Sequence, residues 1–327
     1  VKKNKSFQRL ASIFDITRDD NLTFIPVQID GKCNGNQHWS AIVGDTEIAE
    51  LTGIIPSKEP HDLYQYVADK TTEYCTKTKD SSGWFKEFLK HWDNIIDRKV
   101  TKRPTMCEPY GITFYGIQRY LKEEGHLDWV SKEKLGGAIV ELARAIKASL
   151  DNSLSGPNMG KQYLKDVIEI ANDLNKHVEW TTPSGFKVVH YYNKQQKRRS
   201  LASLFNRKEL TFYVKTNDVN PREAMQAISP NFIHSIDAAH MFLTLARITF
   251  YGITSVSMIH DSYGCHANFV DLMRNCLREE FLEIHSENLL EKFKKEVENQ
   301  LGVILPDPPE RGKLELERVL ESDYFFA

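Results

Sequence analysis

Ser257-Met258-Ile259-His260-Asp261-Ser262-Tyr263-Gly264 is the stretch whose reading decides the fold. The apolar, β-branched run from Ile253 to Ile259 stops at an aspartate and resumes at Tyr263, the pattern of strand, tight turn and strand with Asp261 at the tip. Taken alone, an acid on a hairpin tip is most often a solvated turn residue. A second stretch, Phe24 to Ser40, changes that weighting. There Ile25, Val27 and Ile29 alternate as the buried face of a strand, so Gln28 and Asp30 point the other way and the strand ends by presenting a carboxylate. Gly31 and Gly35 permit a sharp backbone turn, and a short helix is expected from Gln37. Two strand-end aspartates remote in sequence suit a shared Mg²⁺ site, because that ion takes a few carboxylate oxygens and completes its octahedron with water and substrate phosphates.

The bulk numbers neither demand nor forbid this. With 327 residues, 41% hydrophobic and 27% charged, the chain can bury a core and divide into two subdomains sharing a cleft. Its 43 Lys and Arg against 45 Asp and Glu leave a net charge of −2, so any polyanion site must come from local clustering. The five cysteines form no CxxC pair and no zinc spacing, which points to a reducing, cytoplasmic setting. No apolar run reaches the roughly 18 residues of a membrane span and no signal-peptide core precedes Asp30, so no membrane partner is expected. The chain begins at Val1 and reaches the Asp30 strand early, an arrangement that suggests upstream sequence missing or supplied by another chain.

Outward from these strands, Leu10 to Ile16 is expected to be a helix or arm, and Ala41 to Leu51 helix and connector. Ser57-Lys58-Glu59-Pro60 is a helix start with Ser57 as cap, running through Leu63, Tyr64, Val67 and Ala68. Aromatic residues at helical spacing predict a core-facing helix over 83–96. From Arg98 to Gly111 the chain turns basic. Arg98 and Lys102 are i, i+4 and Tyr110 lies two turns on, so on one helix they share a face able to hold a triphosphate at one end and a base or sugar at the other. A merely solvated basic helix would look the same. Pro104 and Pro109 require that helix to start near Thr101 or bend before Tyr110, and Glu108 would sit close to the triphosphate track.

Further helices are expected over 112–121, 135–150 and 161–177, with Ser155-Gly156-Pro157-Asn158 as a break. A turn at Thr182 to Phe186 precedes a strand from Lys187 to Tyr192, and a basic hairpin spans Lys194 to Val214 around Asn206, open to both a solvated and a nucleic-acid-probing reading. A helix is expected from Ser229-Pro230-Asn231 to Phe250, with His234, Asp237 and Met241 on one face. One or two charged helices follow over 268–301, and the aromatic tail Glu321 to Ala327 should dock.

Together these stretches resemble the single-subunit RNA polymerases of bacteriophages and mitochondria. Asp30-Gly31-x-Cys33-x-Gly35-x-Gln37-His38-x-Ser40 is similar to that family's first motif, Arg98-x3-Lys102-x7-Tyr110-Gly111 to its fingers-helix motif, and His260-Asp261-Ser262-x-Gly264 to its third. Pro230-Asn231-Phe232-x-His234-Ser235-x-Asp237 and the closing Leu320 to Ala327 are similar too, all in the family's order. The resemblance implies an α+β fold: a right-hand polymerase palm, an antiparallel sheet with helices, over 1–56 and 229–327, and mostly helical fingers over 57–228. The family's N-terminal promoter-binding domain and thumb precede the first motif and are not in this stretch. A second polymerase subunit, as in a split phage enzyme, would supply them, or the chain is a fragment.

The activity implied is DNA-templated RNA synthesis by nucleotidyl transfer from rNTPs to an RNA 3′-OH, with DNA template and RNA product as partners, in the cytoplasm of an infected host if phage-encoded. Asp30, Asp261 and the Gly31 carbonyl would hold two Mg²⁺ ions about 4 Å apart. Arg98 and Lys102 would grip the β- and γ-phosphates, Lys102 protonating the departing pyrophosphate. Tyr110 and Gly111 would meet the incoming nucleotide, with Tyr110 and His234 sensing its 2′-OH and Tyr64 a further contact. His260 would pack against and orient Asp261. The basic hairpin matches the promoter-specificity loop in position but not in residues. The rivals are a DNA polymerase of the related right-hand family, which has a second acid where Ser262 stands, and a non-catalytic nucleic-acid-binding relic, which the presence of Asp30, Asp261, Lys102 and Tyr110 disfavours.

Overall fold

A computed structural model describes residues 25–77, 96–202 and 208–326, with residues 10, 13–15 and 17 of the N-terminal stretch. The aromatic helix expected over 83–96 falls outside the described residues except at Ile96, as does the hairpin tip around Asn206. In chain order the elements are β1 (Val27–Asp30), α1 (Asn34–Val43), α2 (Thr46–Leu51), α3 (Leu63–Lys77), α4 (Arg98–Cys107), α5 (Phe114–Glu123), α6 (Lys132–Ser153), α7 (Ser155–Asp173), β2 (Val178–Thr181), β3 (Lys187–His190), β4 (Asn193–Ala202), β5 (Lys208–Val219), α8 (Pro221–Phe250), β6 (Val256–Ile259), β7 (Ser262–Cys265), α9 (Val270–Ser286) and α10 (Leu289–Leu301). The architecture is α+β, mainly helical with small antiparallel sheets.

The sheet that decides the fold runs β1-β7-β6, all antiparallel. The β6–β7 hairpin closes through His260 and Asp261, as expected, with His260 at φ 56 as such a tight turn requires. The alternation expected of β1 is only partly realised. Ile29 is buried opposite Tyr263, but Val27 is 40% exposed because β1 is an edge strand with one neighbour and little over its outer end. Beneath the sheet Ile29, Tyr263, Met273, Leu277 and Phe281 form a core with Phe325 and Phe326 of the tail. The tail docks as expected: Phe326 bridges to Gly31, and the Gln37 side chain donates to the Phe325 carbonyl at 2.9 Å.

A second core, around Trp39, Leu164, Val167, Trp180, Phe232 and Phe293, joins α1, α7, α8 and α10. A third, with Val67, Val100, Ile117, Leu142 and Ile146, holds α3 to α6 together. Several helix ends differ from expectation for local reasons. α3 starts at Leu63, not at Ser57, because the Asp62 carboxylate accepts from the amides of Tyr64 and Gln65 and is the better cap. α4 starts at Arg98, capped by Asp97, tolerates Pro104, and ends at Cys107, so Tyr110 follows the helix instead of lying on it. The expected break at Ser155 is a single non-helical residue, Leu154, after which Pro157 falls harmlessly in the first turn of α7. α8 begins at Pro221 behind an Asn220 cap and runs 30 residues through Pro230, absorbing the start expected at Ser229. β2 was not foreseen; it pairs with β3.

The crossing of α1 and α7 depends on one small residue. A Cβ placed on Gly160 would come within 2.6 Å of Cζ3 of Trp39 and 3.0 Å of Val43, and the Trp39 ring is fully buried and cannot retreat. Gly160→Ala should therefore destabilise the protein by about 1–3 kcal/mol despite alanine's better helix propensity. Urea unfolding of the variant against the parent measures this, and an equal or higher midpoint would show that α7 can slide.

Candidate active site

The β1–β7 register brings the two aspartates together. Asp30 stands opposite Ser262, and the Gly31 amide donates to the Asp261 carbonyl at 3.1 Å. Both line a cleft of about 470 Å³, whose walls also include Gly31, Asn34, Tyr64, Lys102, Tyr110, His234 and Asp237. Of the expected site residues, Asp30, Gly31, Asp261, Lys102, Tyr110, His234 and Tyr64 thus share one cavity. Arg98 and Gly111 do not line it. Arg98 is ion-paired to Asp62 and sits over the Tyr64 ring, 5.1 Å from its centroid, with the Lys102 ammonium at 5.9 Å from the same ring. Gly111 lines a neighbouring cleft of about 970 Å³ with Glu108, Lys161 and Lys165.

Tyr110 is placed by the turn that precedes it. The Pro109 carbonyl accepts from Trp39 Nε1 at 3.2 Å and from Ser229 Oγ at 2.8 Å, tying the turn to α1 and α8. Glu108 does not face the phosphate track as expected; it is buried in an ion pair with Lys161 of α7, whose ammonium also donates to the Glu108 carbonyl at 3.2 Å. Burial forces such a carboxylate toward a cation and away from the open cleft. Held this way, Tyr110 stacks on His234 with ring centroids 4.5 Å apart and planes at 26°. Its hydroxyl approaches α1 at Gly35, where a Cβ would lie 2.9 Å away.

The cleft accumulates negative charge. Burial and then the adjacent Asp30 push the Asp261 carboxyl above its usual range, and burial and then Asp261 push Asp237 up to about 6. Two neighbouring carboxylates short of a counter-charge, with oxygen donors only, fit a hard divalent cation. Among the described residues no three His, Cys, Asp or Glu converge on one metal position, so such an ion would depend on substrate oxygens for much of its shell. The residues that sequence reasoning passed over are Asn34 and Asp237, joined at 2.6 Å. Asp237 shared a face with His234, which is a signal; Asn34 offered none.

Acids beside a cationic helix are the arrangement that metal-assisted phosphoryl transfer needs. A family model described as DNA-dependent RNA polymerase matches residues 1–304. The chain is 33% identical over 313 residues to DNA-directed RNA polymerase 2, chloroplastic/mitochondrial, of Arabidopsis thaliana, covering 93% of this chain and 30% of that one. It is 29% identical over 381 residues to the mitochondrial DNA-directed RNA polymerase of Schizosaccharomyces pombe, covering 100% and 32%. Against DNA-directed RNA polymerase 2A of Nicotiana tabacum it is 31% identical over 316 residues, covering 94% and 93%. The chain belongs to the DNA-dependent RNA polymerase family, in its single-subunit phage and mitochondrial branch. It spans about a third of the length of the first two relatives. Among the described residues no helix is long and apolar enough to cross a membrane.

The raised Asp237 carboxyl has a consequence for stability. Its folded value of about 6 exceeds the unfolded value near ~3.9, so the folded state prefers the protonated form. The group contributes nothing below the unfolded value and disfavours folding increasingly as pH rises toward about 6. Asp237→Asn should flatten that decline while keeping a hydrogen bond to Asn34. Unfolding midpoints in EDTA across this range test it; parallel pH profiles for parent and variant would contradict the assignment.

Proposed function

We propose that this chain carries the catalytic centre of a DNA-templated RNA polymerase, transferring nucleotidyl groups from rNTPs to an RNA 3′-OH and releasing pyrophosphate. The observation that carries this is the pairing of β1 with β7, which sets Asp30 and Asp261 side by side in a cleft whose other wall holds Lys102, Tyr110 and His234. In this reading residues 1–56 and 229–327 form the palm and 57–228 the fingers.

Asp30, Asp261 and the Gly31 carbonyl would hold two Mg²⁺ ions, which supply charge neutralisation at the triphosphate and activation of the 3′-OH. Lys102 binds the β- and γ-phosphates and hands a proton to the leaving pyrophosphate oxygen. Arg98 joins it by exchanging the Asp62 carboxylate for phosphate, with Tyr64 beneath both cations as an aromatic floor. Tyr110, stacked on His234, closes the sugar end, where its hydroxyl and the imidazole meet the 2′-OH. Gly111 leaves the backbone free to turn between this cleft and the larger one beside it, at φ 80.

Five free cysteines among the described residues suit a reducing compartment, and the cytoplasm is part of this proposal. The comparisons do not support a second subunit; that expectation rests on the family's placing its promoter-binding domain and thumb ahead of the first motif, and primed-template extension with the chain alone and with extract of its source tests it.

Asp261→Asn should abolish Mg²⁺-dependent RNA synthesis while leaving the unfolding midpoint near that of the parent; a fully active variant would end the polymerase reading. Tyr110→Phe should lower the rNTP-to-dNTP ratio of kcat/KM by about fivefold, the worth of one hydrogen bond of about 1 kcal/mol. A parent that prefers dNTPs would favour the DNA-polymerase reading instead.

A further inference from the structure

Asp237 lines the catalytic cleft yet has no part in the roles above. It lies one turn beyond His234 on α8, and one carboxylate oxygen accepts from Asn34 Nδ2 at 2.6 Å. The same oxygen lies 4.0 Å from Nε2 of His38, a fully buried side chain whose Nδ1 is 2.9 Å from Nε2 of His285. The other Asn34 atom, Oδ1, is buried and has no hydrogen-bond partner among the described residues, so the amide is oriented by the carboxylate alone.

The position of this bond matters more than its strength. Asn34 is the first residue of α1 and follows directly on the turn from Asp30, through Cys33 at φ 55. Its neighbour Gly35 is the surface against which the Tyr110 hydroxyl and Pro109 close, while the Tyr110 ring rests on His234 of α8. Tyr110 therefore occupies a slot with α1 on one side and α8 on the other, and the Asn34–Asp237 bond spans those two helices beside it. We infer that Asn34 and Asp237 form a positioning clasp that sets the width of the Tyr110 slot and thereby the discrimination between ribose and deoxyribose. Bonds to a carboxylate are short and stiff compared with neutral ones, which suits a spacer.

The inference rests on the polymerase reading, and its test separates the two. Equilibrium binding of ATP and of 2′-deoxyATP is measured with Mg²⁺ and a primer-template whose 3′ end lacks the hydroxyl, for the parent, Asn34→Ala, Asp237→Ala and the exchange Asn34→Asp with Asp237→Asn. The parent should prefer ATP. Each alanine variant should lose about fivefold or more of that preference, the scale of one hydrogen bond, with deoxyATP affinity little changed. The exchange, which restores a donor opposite a carboxylate, should recover most of it. A preference unchanged in both alanine variants overturns the clasp. So does an equal loss of both nucleotides, which marks a purely structural role, and so does an exchange as impaired as Asp237→Ala. Asn34→Ala and the exchange carry the comparison if Asp237→Ala does not fold. A parent that binds both alike overturns the sugar-sensing reading on which the clasp rests, and a parent that binds neither overturns the polymerase reading itself.

Discussion

The structure depends on four backbone pairings, Val27 to Asp30 against Cys265 to Ser262. Strand pairing has a period of two, so a slip of one residue would turn Asp30 into the core and Ile29 into the cleft. Two features resist that slip. Ile29 is buried opposite Tyr263, itself fully buried under the hairpin, and Phe326 bridges to Gly31 from the other side of the turn. The aromatic tail is thus a register lock for the strand end: Gln37 holds the Phe325 carbonyl, and Phe325 and Phe326 pack edge-to-face with Phe281 and Tyr263 respectively. Residues nearly 300 positions apart are coupled because the edge strand has too few neighbours to fix its own register.

The opposite wall is built on a different plan. Tyr110 is not carried by a regular element; it follows the end of α4 in a turn whose carbonyls are gripped from three helices, by Trp39, Ser229 and Lys161. A turn of that kind would be soft if its polar groups faced water. With its Glu108 and Pro109 carbonyls bonded to buried side chains, it is well fixed, and it places the ring against His234 without requiring Pro109 to sit in a helix at all.

The local devices were legible in the sequence: the hairpin tip at Asp261, the strand ending at Asp30, the basic face of Arg98 and Lys102, and a tail too aromatic to be loose. Each follows from a short-range rule. The misreadings came where two local signals competed or where tertiary bonds decided. Ser57 is a sound cap by type, but Asp62 five residues on caps better, and Ser229 looked like a cap because its bond to the Pro109 carbonyl, 120 positions away, leaves no mark nearby. Glu108 looked misplaced for the same reason, since its partner Lys161 lies on another helix. Asn34 was invisible as a site residue because it falls between Gly31 and Gly35, in a stretch that reads as a turn.

The Glu108–Lys161 and Arg98–Asp62 ion pairs show how magnitude separates a fixed contact from an exchangeable one. Glu108 and Lys161 are both buried, so removing either partner strands a charge at a cost of about 3–5 kcal/mol, and the pair stays closed. Arg98 and Asp62 are 46% and 35% exposed, where such a pair contributes about 0–1 kcal/mol. In the proposed reading a triphosphate beside Lys102 would offer Arg98 more charge than one carboxylate does. On that reading the exposed pair would yield to an incoming nucleotide while the buried one holds the turn that carries Tyr110. Asp62 loses little in the exchange, because its other oxygen still caps α3 through Tyr64 and Gln65, so the helix that carries the aromatic floor keeps its start when the cation leaves.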